Sequence, residues 1–133
     1  MSCGQKQQGE VHHHDTDSEL QDGGNATLHK EVMDVHNEVM PKMDEIFKMK
    51  ESLKNKVAST PTMSAESKKT MEATISQLDS AGEGMMIWMR KFNPPPDSTG
   101  REEAKTYLEN EMIKIKKVRQ DILAALEKGK SLQ

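Results

Sequence analysis

Residues 93–97 are Asn-Pro-Pro-Pro-Asp, and this stretch decides how the chain folds. Consecutive prolines supply no backbone N–H donors, so an α-helix cannot continue through them. Before this break, apolar residues recur at steps of three and four over residues 64–92, and after it the same period continues over residues 99–130. A second proline-containing break, residues 59–62, separates a further periodic segment, residues 26–58. The sequence therefore predicts three amphipathic helices joined by two short connections.

The composition is typical of an all-helical domain. The chain has 133 residues, of which 31% are charged and only 3% aromatic, whereas β-sheets use more aromatic and β-branched residues. The formal net charge is −3 with acids and bases interspersed, so we expect no nucleic-acid partner, which would require a basic face. We predict an all-α, antiparallel up-down-up three-helix bundle over residues 25–133, preceded by a disordered tether over residues 1–24. Such a bundle is compatible with a monomer or a dimer.

The first predicted helix carries an unusual strip of side chains with the spacing H-x3-M-x2-H-x3-M-x2-M, formed by His29, Met33, His36, Met40 and Met43. Steps of three and four residues place all of them along one strip of a helix. Imidazole and thioether groups are soft donors that suit copper(I), with silver or copper(II) as variants. Zinc is less favoured, because Cys and carboxylates are missing from the strip. The alternative is an ordinary core stripe that contains two histidines and gap-filling methionines.

Antiparallel pairing brings a second group of methionines toward this strip. If the first turn is centred near residue 61, the numbers of paired residues sum to about 121, because both helices rise equally per residue. This register places Met85, Met86 and Met89 against the His/Met end of the first helix. Trp88 lies among them, and its indole face is expected to cover a bound cation. We predict a soft-metal site here; the alternative is a Met-rich core or a groove for a partner protein, without a ligand.

Three further features concern the same end of the bundle. Pro41 removes one backbone donor inside the first helix, so we expect a kink near the end of the His/Met strip. Gly82 and Gly84 are expected to let the helix backbones approach closely. The second turn, centred near residue 96, places Tyr107 level with Met85.

Enzymatic function is not indicated by any motif in the sequence. There is no Ser/His/Asp or Cys/His arrangement, no glycine-rich phosphate loop and no HExxH motif. We therefore predict a binding or structural protein without catalytic residues.

The N-terminus has the pattern of a bacterial lipoprotein processing point, in which a lipidated Cys follows a small residue. Cys3 follows Ser2 and precedes Gly4 and a polar stretch, and it is the only Cys, which excludes an internal disulfide. We expect Cys3 to anchor the protein to a membrane of the cell envelope, facing the periplasm. A cytoplasmic location is the alternative if no signal peptide exists upstream of Cys3. The run His12–His14 could also chelate a divalent metal loosely.

Three stretches resemble one family of proteins. They are EVMDVHNEVMPKM (Glu31–Met43), MMIWMRKF (Met85–Phe92) and YLENEMIKIKKVRQDI (Tyr107–Ile122). These stretches are similar to small Bacteroidetes lipoproteins catalogued as "viral A-type inclusion protein". The resemblance implies a helical, lipid-anchored envelope protein, and the Cys3-Gly4 start agrees with it. It implies no particular activity.

Overall fold

The computed structural model describes residues 16–96 and 100–133, with side chains from residue 24 onward. It contains three helices, α1 (Thr16–Ser59), α2 (Ala65–Lys91) and α3 (Arg101–Ser131), and no strand within those ranges. All three helices pack against one another, so the predicted all-α three-helix bundle is confirmed.

Side-chain hydrogen bonds at both ends of the bundle define the helix directions. Asn25 Nδ2 donates to the Arg101 carbonyl at 3.1 Å, and Lys56 Nζ donates to the Leu132 carbonyl at 2.7 Å. Both pairs are separated by 76 residues, so α1 and α3 run parallel with a constant offset. Because α2 connects them, it runs antiparallel to both, which gives the predicted up-down-up order.

The helix ends follow from local chemistry. Ser64 caps α2, because its side chain accepts the backbone N–H of Ser67 at 3.1 Å. Gly100 precedes α3 with φ +124°, a backbone conformation that residues with a Cβ rarely adopt. Between these helices, the backbone N–H of Asn93 donates to the Tyr107 hydroxyl at 2.6 Å and fixes the start of the proline segment against α3.

The first helix begins earlier than its apolar pattern predicts. It starts at Thr16 instead of near Asn25, so residues 16–24, which we predicted to be part of the tether, are helical. The sequence Thr-Asp-Ser-Glu at 16–19 has the pattern of a capping box, which favours a helix start there. Two glycines at 23–24 cost about 1 kcal/mol each in a helix and do not interrupt it. The remainder of the predicted tether, with Cys3 and His12–His14, lies outside the described residues.

The core is a continuous column of aliphatic, Met and Trp side chains from all three helices. Its most buried members are Val32, Val39, Leu53, Leu78, Met85, Ile115, Ile122 and Ala125. Burying a side chain of the larger of these types contributes about 1.5–3 kcal/mol each. Ile46 and Met49 belong to this core, whereas Phe47 is 60% exposed. Phe47 directly follows Ile46, and consecutive residues on a helix point about 100° apart, so both cannot face the core.

The predicted register is correct at one end of the bundle and slips at the other. The His29 and Phe92 rings lie 5.8 Å apart, as the register predicts. Toward the first turn, Lys50 hydrogen-bonds Asp79, whereas the predicted register paired residue 50 with residue 71. Tyr107 contacts the Phe92 ring at 6.1 Å and does not lie level with Met85. The extended proline segment explains this second difference, because it lets α3 begin beyond the end of α2.

Candidate metal site

The His/Met strip of α1 lies beside the core, and of its methionines Met43 packs against the core. On the helix surface its centre is offset by roughly a quarter of a turn from the buried row Val32, Val35 and Val39. Met40 is 36% exposed, and the other four members of the strip are half-buried. The strip is therefore not an ordinary core stripe with two buried histidines, and its donor atoms lie at the edge of the bundle.

The strip faces α2, as the register predicts. A Cβ atom at Gly82 would lie 3.6 Å from Met43 Cε and 3.7 Å from Ile46 Cγ2, which is ordinary van der Waals contact. The His36 ring lies 6.1 Å from the Trp88 ring. The predicted close approach at Gly82 is thus a normal helix contact, and the prediction for Gly84 is wrong, since a Cβ there would meet nothing within 4 Å.

A solvent-facing groove runs between α1 and α2 at this edge, and we call it the seam groove. It has a volume of about 290 Å³ and is lined by Met43, Ile46, Phe47, Lys50, Leu78, Asp79, Gly82, Glu83 and Met86. Met86 is 39% exposed, so its side chain lies partly in solvent. The groove therefore brings together one predicted donor from α1, Met43, and one from α2, Met86.

Met40 extends this pair along α1. It lies three residues before Met43 and four after His36, and both steps place side chains next to each other on a helix. His36 and Met43 are about 10.5 Å apart along the helix axis, so Met40 is the residue that links them. Two of the predicted donors, Met43 and Met86, therefore line the seam groove, and Met40 and His36 follow along α1 beside Met43.

The other predicted donors lie elsewhere. Met85 is fully buried in the core, and Met89 is half-buried and packs against it. His29 lines a separate cleft of about 480 Å³ with Asn25, Ala26, Pro94, Pro95, Pro96, Ala104 and Leu108. Met33 is half-buried and lies between His29 and His36 along α1. The eight predicted donors therefore do not form one cluster.

His36 has a defined orientation. Its Nδ1 lies 3.1 Å from the Asn37 side-chain oxygen. In the tautomer whose Nδ1 donates to this oxygen, Nε2 is the ring nitrogen with a free lone pair. This is the arrangement in which an imidazole binds a metal through Nε2.

The charged residues of the seam groove are paired with one another or with neighbours. The Lys50 ammonium hydrogen-bonds the Asp79 carboxylate, and this bond, together with the charge of Lys50, holds the pKa of Asp79 below its ordinary value. Glu83 accepts a hydrogen bond from Arg90 at 3.0 Å. Among side chains 24–96 and 100–133, no group of three or more His, Cys, Asp or Glu comes together. The carboxylates of the groove are therefore engaged in ion pairs, whereas its thioethers are not.

Trp88 is a core side chain with one unusual atom. It is 6% exposed, stacks on Phe92 with ring centroids 4.8 Å apart, and has no hydrogen-bond partner for its buried Nε1. A buried donor without a partner costs about 1–3 kcal/mol. Its contact with the His36 ring places the indole beside the predicted donors, and its role as a cover for a cation stays a prediction.

The sequence patterns missed one buried charge. Glu111 is 6% exposed within the apolar row of α3 and pairs with Lys114 at 3.0 Å. Its position was visible in the sequence, since it lies at steps of three and four between Leu108 and Ile115. The sequence shows that Glu111 lies on the apolar period, and the packing shows that its side chain is buried.

Comparison with known proteins adds no family to these observations. No family model, no curated protein and no solved structure matches this chain. Among the described residues, none of the helices combines the length and apolar character that crossing a bilayer requires.

Proposed function

We propose that this chain is a non-enzymatic binding protein that holds copper(I) at the seam groove. Met40 and Met43 of α1 and Met86 of α2 supply thioether sulfurs, and His36 supplies its Nε2. Thioether and imidazole ligands favour copper(I) over hard divalent ions. Methionine side chains rotate freely enough to close around an ion from exposed positions. The supporting observation is that Met43 and Met86, from two different helices, line one accessible groove.

The donor set differs from the one that the sequence alone suggested. Met85 is left out because its sulfur would have to leave the core, which would uncover a large apolar side chain. His29 is left out because it lies two turns from His36 and lines a different cleft. Both remain useful as controls, since they carry the same donor types at positions outside the groove.

An anaerobic competition titration against a colorimetric copper(I) chelator tests this proposal. The wild-type chain at micromolar concentration is expected to withdraw one equivalent of copper. The double variant Met40→Leu/Met86→Leu should lose at least about tenfold in affinity, since a Leu of similar volume keeps the packing and removes the donor. The matched control is Met63→Leu/Met112→Leu, which changes two half-buried methionines outside the groove. Failure to withdraw copper, or equal losses in both double variants, would refute the site.

A second candidate function is protein recognition at the same groove. Phe47 is 60% exposed and lines the groove beside Met43 and Met86, and such aromatic and Met surfaces accept the apolar face of a partner helix. Phe47→Gln separates the two functions, because it removes an apolar contact for a partner helix and no copper ligand, so it should lower copper affinity less than Met40→Leu/Met86→Leu does. Cross-linking in envelope membranes should give a partner band with wild type and with Met63→Leu. Loss of this band in Phe47→Gln would support protein recognition, and persistence of the band would contradict it.

We also propose that the protein is a periplasm-facing lipoprotein anchored through Cys3. The supports are the Ser2-Cys3-Gly4 pattern and the resemblance to small envelope lipoproteins. Feeding native cells an alkyne-tagged fatty acid should label the protein, and Cys3→Ser should remove the label. An unlabelled wild-type protein, or location in the cytoplasmic fraction, would contradict this proposal.

A further inference from the structure

Exposure divides the methionines of the described residues into three groups. Met40 and Met86 are 36% and 39% exposed, whereas Met49, Met71 and Met85 are 8% exposed or less. The remaining described methionines are half-buried. The two exposed ones lie on different helices, and both belong to the proposed copper site. Among the described methionines, these two residues are therefore the most open to an oxidant in solution.

We propose that Met40 and Met86 are sites of reversible oxidation to methionine sulfoxide by hydroperoxides, and that this modification switches off metal binding. The regulatory part rests on the proposed copper(I) function. In the reaction, the thioether sulfur attacks the peroxide oxygen. An S–O bond forms while the O–O bond breaks, and sulfur gives two electrons to the peroxide. The second oxygen leaves and takes the proton of the new S–OH group, which yields water from hydrogen peroxide or an alcohol from an alkyl hydroperoxide.

The position of the two residues makes the modification tolerable for the fold. A sulfoxide is polar, and at an exposed helix position its oxygen remains in water. The same change at Met85 would place a polar oxygen in the core, where an unpaired polar group costs several kcal/mol. Oxidation at the seam groove is therefore expected to leave the bundle folded.

The same change removes the chemistry on which the metal site depends. Oxidation consumes a lone pair of the soft sulfur donor and leaves a hard oxygen, which copper(I) binds poorly. Because Met40 links His36 to Met43, its loss separates the imidazole from the remaining thioethers by about two helical turns. Reduction of the sulfoxide by methionine sulfoxide reductases restores both donors.

Site-resolved mass spectrometry of the metal-free chain during hydrogen peroxide treatment tests the modification. Met40 and Met86 are expected to form sulfoxide about tenfold faster than Met71 and Met85, as oxidation follows exposure. Far-UV circular dichroism should stay unchanged while these two react. Uniform oxidation, or loss of helical signal in step with it, would overturn the proposal.

The switch is then measured by repeating the copper(I) competition with the oxidised chain. Affinity should fall at least about tenfold and return after treatment with methionine sulfoxide reductases. The control variant Met63→Leu/Met112→Leu should respond in the same way as wild type. If the untreated chain binds no copper, the proposed function fails and the switch fails with it. If the untreated and oxidised chains bind copper equally, the switch alone is refuted.

Discussion

Replacing Gly129 by Ala should destabilise the bundle, although Ala is the better helix former. Gly129 is buried in the last turn of α3, where a Cβ atom would lie 2.6 Å from Cγ and 2.9 Å from Sδ of Met49. These atoms are not the flexible tip of the side chain. Met49 is itself only 8% exposed, so it cannot move into open space. The substitution therefore forces two packed helices apart or drives Met49 from its rotamer.

The two opposing contributions can be compared. Overpacking a core contact costs about 1–3 kcal/mol. The gain from replacing Gly by Ala in a helix is at most about 1 kcal/mol and is smaller in a terminal turn. We therefore expect Gly129→Ala to lower the free energy of unfolding by about 1 kcal/mol, which corresponds to a Tm lower by about 4 °C for a chain of this size.

Urea unfolding followed by far-UV circular dichroism measures this change, with Gly84→Ala as the matched control. A Cβ at Gly84 meets nothing, so that variant should gain about 0.5–1 kcal/mol. In a Met49→Ala background, where the clashing atoms are gone, Gly129→Ala should lose its penalty. If Gly129→Ala stabilises the wild-type chain as much as Gly84→Ala does, the packing of α1 against α3 described above is wrong.

Three further substitutions test other parts of the molecule. Asp79→Asn should lower the free energy of unfolding at neutral pH. The Lys50–Asp79 pair contributes stability above the ordinary carboxyl pKa, and this contribution is lost as the pH falls through the lowered pKa of Asp79. The urea midpoints of the two proteins should therefore converge in acid, and midpoints that stay apart would contradict the pairing. Pro41→Ala should raise the free energy of unfolding by up to about 3 kcal/mol, since Pro41 lies exposed inside α1, and an unchanged Tm would argue against a strained helix there. Tyr107→Phe should cost about 1 kcal/mol in urea unfolding, because the hydroxyl accepts the backbone N–H of Asn93; a neutral effect would show that the loop needs no such bond.

The fold was predictable because its decisive signals are local. Prolines cannot continue a helix, and a period of 3.6 residues is visible in each segment, so α2 and α3 begin and end within two residues of the predicted bounds. The start of α1 was not predictable from apolar period, because its first turns carry few apolar residues. Its capping pattern at residues 16–19 was the available signal.

The candidate site was predictable in its residue types and only partly in its geometry. Helical spacing places His36, Met40 and Met43 on one strip, and it also sets that strip about a quarter of a turn from the valine row. It does not determine which neighbouring helix lies beside the strip, because that depends on how the three helices pack together. Met85 lies on the apolar period of α2, seven residues after Leu78, and is fully buried, whereas Met86 lies off that period and lines the groove.

X-ray absorption at the copper edge, on the chain loaded anaerobically with one equivalent of copper(I), tests the proposed seam site most directly. We predict a spectrum dominated by sulfur scatterers from Met40, Met43 and Met86, with one imidazole contribution from His36. In Met40→Leu/Met86→Leu the sulfur contribution should fall. A spectrum with nitrogen and oxygen scatterers alone would contradict the seam site and would point to an imidazole set such as His12–His14.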